Sequence, residues 1–376
     1  MGERLDVSAE RRSPLEATYQ ALGAPFVNVR GARLPERFGE VAEECRTARA
    51  GAGVFDRSDR VHLTASGPDA KAFLHRMLSN DVARLAPGQG CYATLLSVQG
   101  HMLADLYALQ MDDHLLLETD VSAAARMREW LEKYIIADDV TVEDRSQQMA
   151  ALGVEGPQAA KLLAAAGAGA LPGAELDHAW VKLGETPVLI ARVSETGEEG
   201  FRLIFVVEYA QNIWDALTAV KKVVPWKPVG HAAWNILRTE AGVPWYGVDM
   251  DERTLPPEAA LETRALSYSK GCYVGQEIIE RIRSRGHVNR RLTGLRLQGA
   301  RPAAGAKLLR EGKEVGVLTT VVESPTLGGL IALGIVRREQ LEPGTRLEVE
   351  GGGAAEVAAL PFYQRSAQAA SAPGGR

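Results

Sequence analysis

The feature that most constrains this chain is a change of pattern near Arg291. Before it, helical and strand-like stretches alternate. After it, from Leu292 to Pro361, only short apolar runs remain, punctuated by Gly and Pro: Leu295–Leu297, Val315–Leu318, Leu330–Val336 and Arg346–Val349. Such a segment has no helical stripe and reads as all-β, most simply a small antiparallel barrel. At 376 residues the chain is too long for one ordinary core, so this break is a natural domain boundary. The expected class is α+β, with a mixed region over 15–290, a barrel over 291–365 and a disordered Ala/Ser/Pro/Gly-rich tail over 366–376. The charged Met1–Ser13 segment has too little apolar area to hold a fixed shape.

Within the first region, Val61–Ser66 alternates like a strand, and Gly67-Pro68-Asp69 opens a helical stripe with Phe73, Leu74, Met77 and Leu78 on one side. Cys91–Val98 and Met102–Leu109 read as strands of a hairpin turning at Gln99-Gly100. Ser122 is placed to cap a helix bearing Met127, Trp130, Leu131 and Tyr134. Gly156-Pro157 opens a second Ala/Leu helix. Strands near Val188–Val193 and Phe201–Val207 precede a helix over Tyr209–Val223, and another over Ala232–Ala241 ends at Gly242.

A net charge of −5 argues against a generally nucleic-acid- or membrane-binding surface. No apolar run reaches the roughly 18–20 residues that span a bilayer, and the N-terminus shows no secretion signal. Cys45, Cys91 and Cys272 are too few and too scattered for a disulfide framework or a paired metal motif, so a reducing, cytoplasmic setting is expected.

Chemistry concentrates in Lys270-Gly271-Cys272-Tyr273-Val274-Gly275-Gln276-Glu277 and the residues up to Arg291. Gly271 and Gly275 bracket the thiol, and a helix pattern follows in which Ile278, Ile279 and Ile282 share one face. Six basic side chains (Lys270, Arg281, Arg283, Arg285, Arg290, Arg291) stand against Glu277 and Glu280. A thiol before a helix N-terminus in basic surroundings is a nucleophile, a redox sensor or a soft-metal ligand. It can equally be a small buried hydrophobe, and the charges a solvated helix face. Cys45 and Cys91, lying among ordinary helix or strand residues, read as core. Elsewhere, Asp105 interrupts the apolar run Met102–Tyr107: it either points outward or needs a partner or ligand. Glu195–Phe201 is a Gly-punctuated acidic turn. Arg238 and Glu240 are two apart on a helix, so each must find its partner elsewhere.

Taken together, Lys270–Glu277 and the following Arg285-Gly-His-Val-Asn-Arg-Arg291 resemble the signature of the YgfZ family, relatives of the glycine-cleavage T protein (aminomethyltransferase, GcvT-like). Gly53–Asp56, Ser66–Ala70, Ser79–Val82, Thr196–Phe201 and Leu237–Gly242 read like T-protein landmarks in the same order, so the resemblance spans nearly the whole chain. It implies three subdomains around a hole that receives tetrahydrofolate or a derivative, with a C-terminal β-barrel. It also implies folate contacts at Tyr92, Asp105, Glu199, Arg238 and Glu240, with Lys270 and Cys272 near the mouth.

Two departures stand out. T proteins carry two adjacent strand acids where this chain has Ala104 and Asp105. Around the acidic turn, Glu195 and Arg202 stand where T proteins have a tyrosine and an acid. The expected function is therefore assistance in iron–sulfur cluster assembly or repair, with Cys272 as one ligand of a transient 2Fe–2S cluster shared with an iron–sulfur carrier protein. The alternative is a folate-dependent aminomethyltransferase or demethylase of one-carbon metabolism, with Asp105 catalytic. Relatives are linked to tRNA modification, but a basic patch without interleaved aromatics makes direct nucleic-acid binding the weakest option.

Overall fold

The computed structural model describes residues 10–365; the tail expected over 366–376 and most of the Met1–Ser13 segment lie outside the described residues. Two large sheets, a small three-stranded one (Arg11–Arg12, Ala32–Pro35, Phe26–Val29) and a barrel make up the architecture. The first sheet has five antiparallel strands in the order Gly90–Leu96, Met102–Gln110, His114–Asp120, Arg60–Ser66, Thr141–Asp144. In the second, six strands run in the order His178–Leu183, Thr186–Ala191, Gly200–Val206, Met149–Glu155, Gly53–Asp56, Lys227–Val229, and only the last pair is parallel.

The two sheets repeat one local device. Each has a strand that passes through Gly-Pro into a short helix, Ala70–Met77 in one case and Ala159–Ala165 in the other. Gly67 and Gly156 both hold positive φ (112° and 133°), and a Cβ there would lie 2.2 Å from the Asp139 carbonyl oxygen and 2.4 Å from that of Gly51. Only glycine fits such a turn.

Ala151, Leu189, Ala191 and Ile204 of the second sheet, with Val193 just beyond its strand, join the apolar core of the first, so the sheets pack face to face. The C-terminal region closes into the expected antiparallel barrel, ordered Arg290–Gln298, Gly329–Arg337, Lys313–Ser324, Lys307–Arg310, Arg346–Val349, Ala354–Ala358, around Leu295, Leu318, Ala332 and Val357. Buried polar bonds dock it. Arg238 and Asp249 both bind Thr320, while Glu240 binds Ser324 and Thr326. Among the described residues no helix is long and apolar enough to cross a membrane.

Local expectations needed small corrections. Asp120, not Ser122, caps the helix Val121–Tyr134, because the Asp120 carboxylate accepts the Ser122 amide at 2.9 Å. The helix expected over Tyr209–Val223 stops at Ala219. Of Ile278, Ile279 and Ile282, only Ile279 is buried, so the helix Gln276–Arg285 lies against the body along a narrow seam.

Candidate functional site: a central cavity and an exposed thiol loop

The segment Asp56–Arg60 carries the chain from the second sheet into the first, and the central cavity opens beside it. This recess is lined by Arg57 and Arg60 from that crossing, Tyr92, Asp105 and Tyr107 from the hairpin, and Glu195 from the acidic turn. Trp234, Arg238, Val243, Pro244, Trp245 and Arg264 complete its wall.

Strand alternation decides which side chains reach it. Thr94 pairs with Asp105 and Tyr92 with Tyr107, so Asp105 and Tyr107, two apart, share a face. Ala104 points the other way and is fully buried, which leaves Asp105 as the strand acid on the cavity side. Asp105 is 6% exposed. Its Oδ2 accepts the Tyr92 hydroxyl at 2.9 Å, whereas Oδ1 is buried without a hydrogen-bond partner. An unpaired buried carboxylate oxygen costs a few kcal/mol or more. It also supplies what a ligand amine or ring N–H would need.

Behind Asp105 lies a buried ionic network. Glu118 accepts from Arg60 at 3.3 Å, from Arg202 and from His62 at 3.3 Å. Burial pushes the Glu118 carboxyl up, but Arg202, the His62 hydrogen bond and Arg60 together hold it well below the ordinary carboxylate range. Arg202 also binds Glu195 at 3.0 Å, and Glu195 pairs with Arg57, which grips Asp59 at 2.8 Å. The two departures noted around the acidic turn are thus partners: Glu195 and Arg202 neutralise one another. Burial first, opposed by Asp105 and Glu118, leaves Arg60 with a pKa above the ordinary arginine value, so it stays charged beside Asp105.

The aromatic wall is fixed equally firmly. Trp245 donates its indole N–H to Asp120 at 2.9 Å and packs edge-on to Trp234, with ring centroids 5.2 Å apart. Arg57 lies over Trp234 at 4.6 Å.

Of the residues named from sequence, Tyr92, Asp105 and Arg238 line this cavity. The Arg238 guanidinium is already engaged by Asn235, Val243, Asp249 and Thr320. Glu240, two residues on, faces the barrel with its carboxylate on Arg49, Ser324 and Thr326; Glu199 pairs with Arg192 at 3.3 Å, and neither lines the cavity. Sequence reading missed Arg57, Arg60, Tyr107, Trp234, Trp245 and Arg264. Their only signal was polar or aromatic residues beside apolar strands.

The thiol segment is built differently. Lys270 is turned into the body and does not line the central cavity. Its ammonium donates to the carbonyls of His75, Leu78 (2.6 Å) and Asn80 (3.1 Å), capping the C-terminal end of helix Ala70–Met77. Burial lowers its pKa to about 8. Val274 N–H binds the Arg76 carbonyl at 3.1 Å, Tyr273 packs into the core, and Gly275 holds a φ of 83° where a Cβ would lie 2.5 Å from the Ser97 oxygen. Gln276 caps back on the Tyr273 amide at 3.4 Å, and Glu277 pairs with Arg281 at 2.8 Å. Between these anchors Gly271 and Cys272 are exposed, while Cys45 is buried and Cys91 half-buried. Burial pushes the Cys45 and Cys91 thiols up to about 12. Among the described residues no three His, Cys, Asp or Glu side chains gather as a metal site.

Comparison with known proteins agrees with this architecture. Residues 15–268 match the GCVT N-terminal domain, and residues 290–364 match the glycine cleavage T-protein C-terminal barrel domain. The aminomethyltransferase of Streptomyces coelicolor is 33% identical over 371 residues, covering 94% of this chain and 98% of its own. That of Cutibacterium acnes is 34% identical over 372 residues, covering 95% and 99%. The crystal structure of glycine cleavage system aminomethyltransferase T from Bartonella henselae superposes with a TM-score of 0.85 at 29% identity, over 95% of this chain and 99% of that one. With both of its domains matched and relatives of nearly equal length, the chain belongs to the glycine cleavage T-protein family.

Proposed function

We propose that the central cavity binds a tetrahydrofolate-type ligand and supports folate-dependent aminomethyl transfer, with Asp105 as the catalytic carboxylate. The observation that carries this reading is the unpartnered, buried Oδ1 of Asp105, held in place by Tyr92 through the other oxygen. A reduced pterin fits such a site, because its ring presents N–H donors and a flat face for Tyr107, Trp234 and Trp245. When bound, the folate supplies the nitrogen that accepts the one-carbon unit. Asp105 then holds or moves a proton at a ligand amine, Tyr92 fixes the carboxylate rotamer, and Arg60 keeps a positive charge beside it. The aminomethyltransferase names of the two bacterial relatives support the same chemistry. This places the transferase ahead of the assembly role expected from the thiol segment.

Titration of tetrahydrofolate by calorimetry tests the reading. The wild type binds, and Asp105→Asn binds at least about tenfold more weakly, the loss of one charge-assisted hydrogen bond. Absence of binding to the wild type would remove the proposal.

A second reading keeps Cys272 as a shared ligand for a 2Fe–2S cluster presented by a carrier protein. It is favoured by one observation: the thiol is exposed at the apex of a loop pinned on both sides by Lys270 and Val274. Cluster transfer that needs Cys272 and is indifferent to Asp105→Asn would establish it over the transferase.

A further inference from the structure

Four guanidinium groups line the cavity, and they differ in what already holds them. Arg57 is bound by Asp59 and Glu195, Arg60 by Glu118, and Arg238 by Asp249; all four carboxylates are buried. Arg264 is paired, among the described residues, with Glu175 at 3.0 Å, and there the side chains are 35% and 65% exposed. The energetics of the two cases separate widely. An exposed ion pair is screened by solvent and contributes little. Breaking a buried pair strands an uncompensated charge and is strongly unfavourable. An incoming anion can therefore replace Glu175 on Arg264 at little cost, and cannot do the same at the other three.

Arg264 is also built into position. The Asn80 side-chain amide donates to the Tyr92 carbonyl at 2.8 Å and to the Arg264 carbonyl at 3.1 Å, tying the two residues together. Ser79 adds a hydroxyl bond to the Ala265 carbonyl at 2.6 Å, and its own carbonyl accepts the Ser267 amide at 3.0 Å. As a result the Arg264 guanidinium lies over the Tyr92 ring, 5.2 Å from its centroid, and the Tyr92 hydroxyl in turn reaches Asp105. A half-exposed arginine, an aromatic ring and a buried acid thus form one line from the cavity rim inward. A planar guanidinium is suited to take a carboxylate through two parallel hydrogen bonds.

We propose that Arg264 is the anion-recognition residue of this cavity. It exchanges Glu175 for a carboxylate on the tail of a ligand whose ring lies against Tyr92 and Asp105. The inference rests on the folate reading and adds that the acidic glutamyl tail is recognised separately from the ring. The test is calorimetric titration of tetrahydrofolate and of tetrahydropteroate, which lacks the glutamate, into wild type, Arg264→Gln and Glu175→Gln.

The wild type is expected to prefer tetrahydrofolate by about tenfold or more, the scale of a charge-assisted contact. Arg264→Gln should lose that preference, its affinity for tetrahydrofolate falling by at least about tenfold more than its affinity for tetrahydropteroate. Glu175→Gln, which removes the competing carboxylate from the surface, should bind tetrahydrofolate more tightly than the wild type. A preference undiminished in Arg264→Gln, or a Glu175→Gln protein no tighter than wild type, overturns this inference alone. Failure of the wild type to bind either ligand overturns the folate reading and this inference with it.

Discussion

The Asp105 cavity and the Cys272 loop are both held by dense hydrogen bonding, yet they spend it on opposite ends. In the cavity, the backbone and Tyr92 keep a carboxylate buried with one oxygen unsatisfied. In the loop, Lys270, Val274 and Gly275 keep a thiol exposed. These arrangements differ sharply in cost. A buried carboxylate oxygen without a protein partner is unfavourable unless a ligand or solvent answers it. Exposing a thiol costs almost nothing. A feature that is expensive to keep points more strongly to function than one that is cheap, which is why the cavity carries the main reading.

The largest effect that could break this contrast is on turnover. Asp105→Asn should lower aminomethyl transfer to tetrahydrofolate by about 10²–10⁴-fold, as loss of a general acid or base does. Its melting temperature should not fall, because Asn can still accept the Tyr92 hydroxyl and the substitution removes a buried carboxylate oxygen that has no partner. Cys272→Ala should leave the rate unchanged; the reverse pattern would hand the function to the loop.

Next in size is the network behind the acid. Glu118→Ala should destabilise the fold by about 3–5 kcal/mol in denaturant titrations, since Arg60, Arg202 and His62 lose their shared acceptor. The same group sets an acid limit. Its folded pKa lies below the unfolded value of 4.5, so its contribution is fully present above that value. The contribution is lost as pH falls from 4.5 toward the folded pKa. Stability of the wild type should therefore drop below about pH 4.5 more steeply than that of Glu118→Gln.

A smaller effect sharpens the account of the loop. Lys270→Met should cost about 1–3 kcal/mol, because the carbonyls of His75, Leu78 and Asn80 lose a buried donor. Tetrahydrofolate affinity should be unaffected, as expected of a scaffold rather than a ligand contact. Smallest of all, a thiol reagent should label Cys272 rapidly in the native protein. Cys45 and Cys91 should react only on unfolding, their thiols being pushed up to about 12 by burial.

Much of this was legible in the sequence wherever a local rule suffices. The Gly-Pro turn into Ala70–Met77, the hairpin at Gly100 and the barrel after Arg291 follow from turn chemistry and periodicity. Asp105 stood out because an acid inside an apolar strand must be answered by something. The rest depended on long-range convergence. Arg57, Trp245 and Arg264 come from separate stretches and meet only in the fold. Glu195 and Arg202 looked like lost catalytic groups until their 3.0 Å contact showed a mutual exchange of partners. The surroundings of Lys270 were hidden for a related reason. A lysine beside a motif cysteine suggests ligand chemistry, whereas three carbonyls at a helix end turn it into a buried cap.

The most direct measurement is a crystal structure of the protein with tetrahydrofolate bound. The account predicts the pterin ring in the central cavity, with a ring N–H or amine within hydrogen-bond distance of Asp105 Oδ1. A pterin bound elsewhere, or one in the cavity that leaves Oδ1 without a partner, would contradict it.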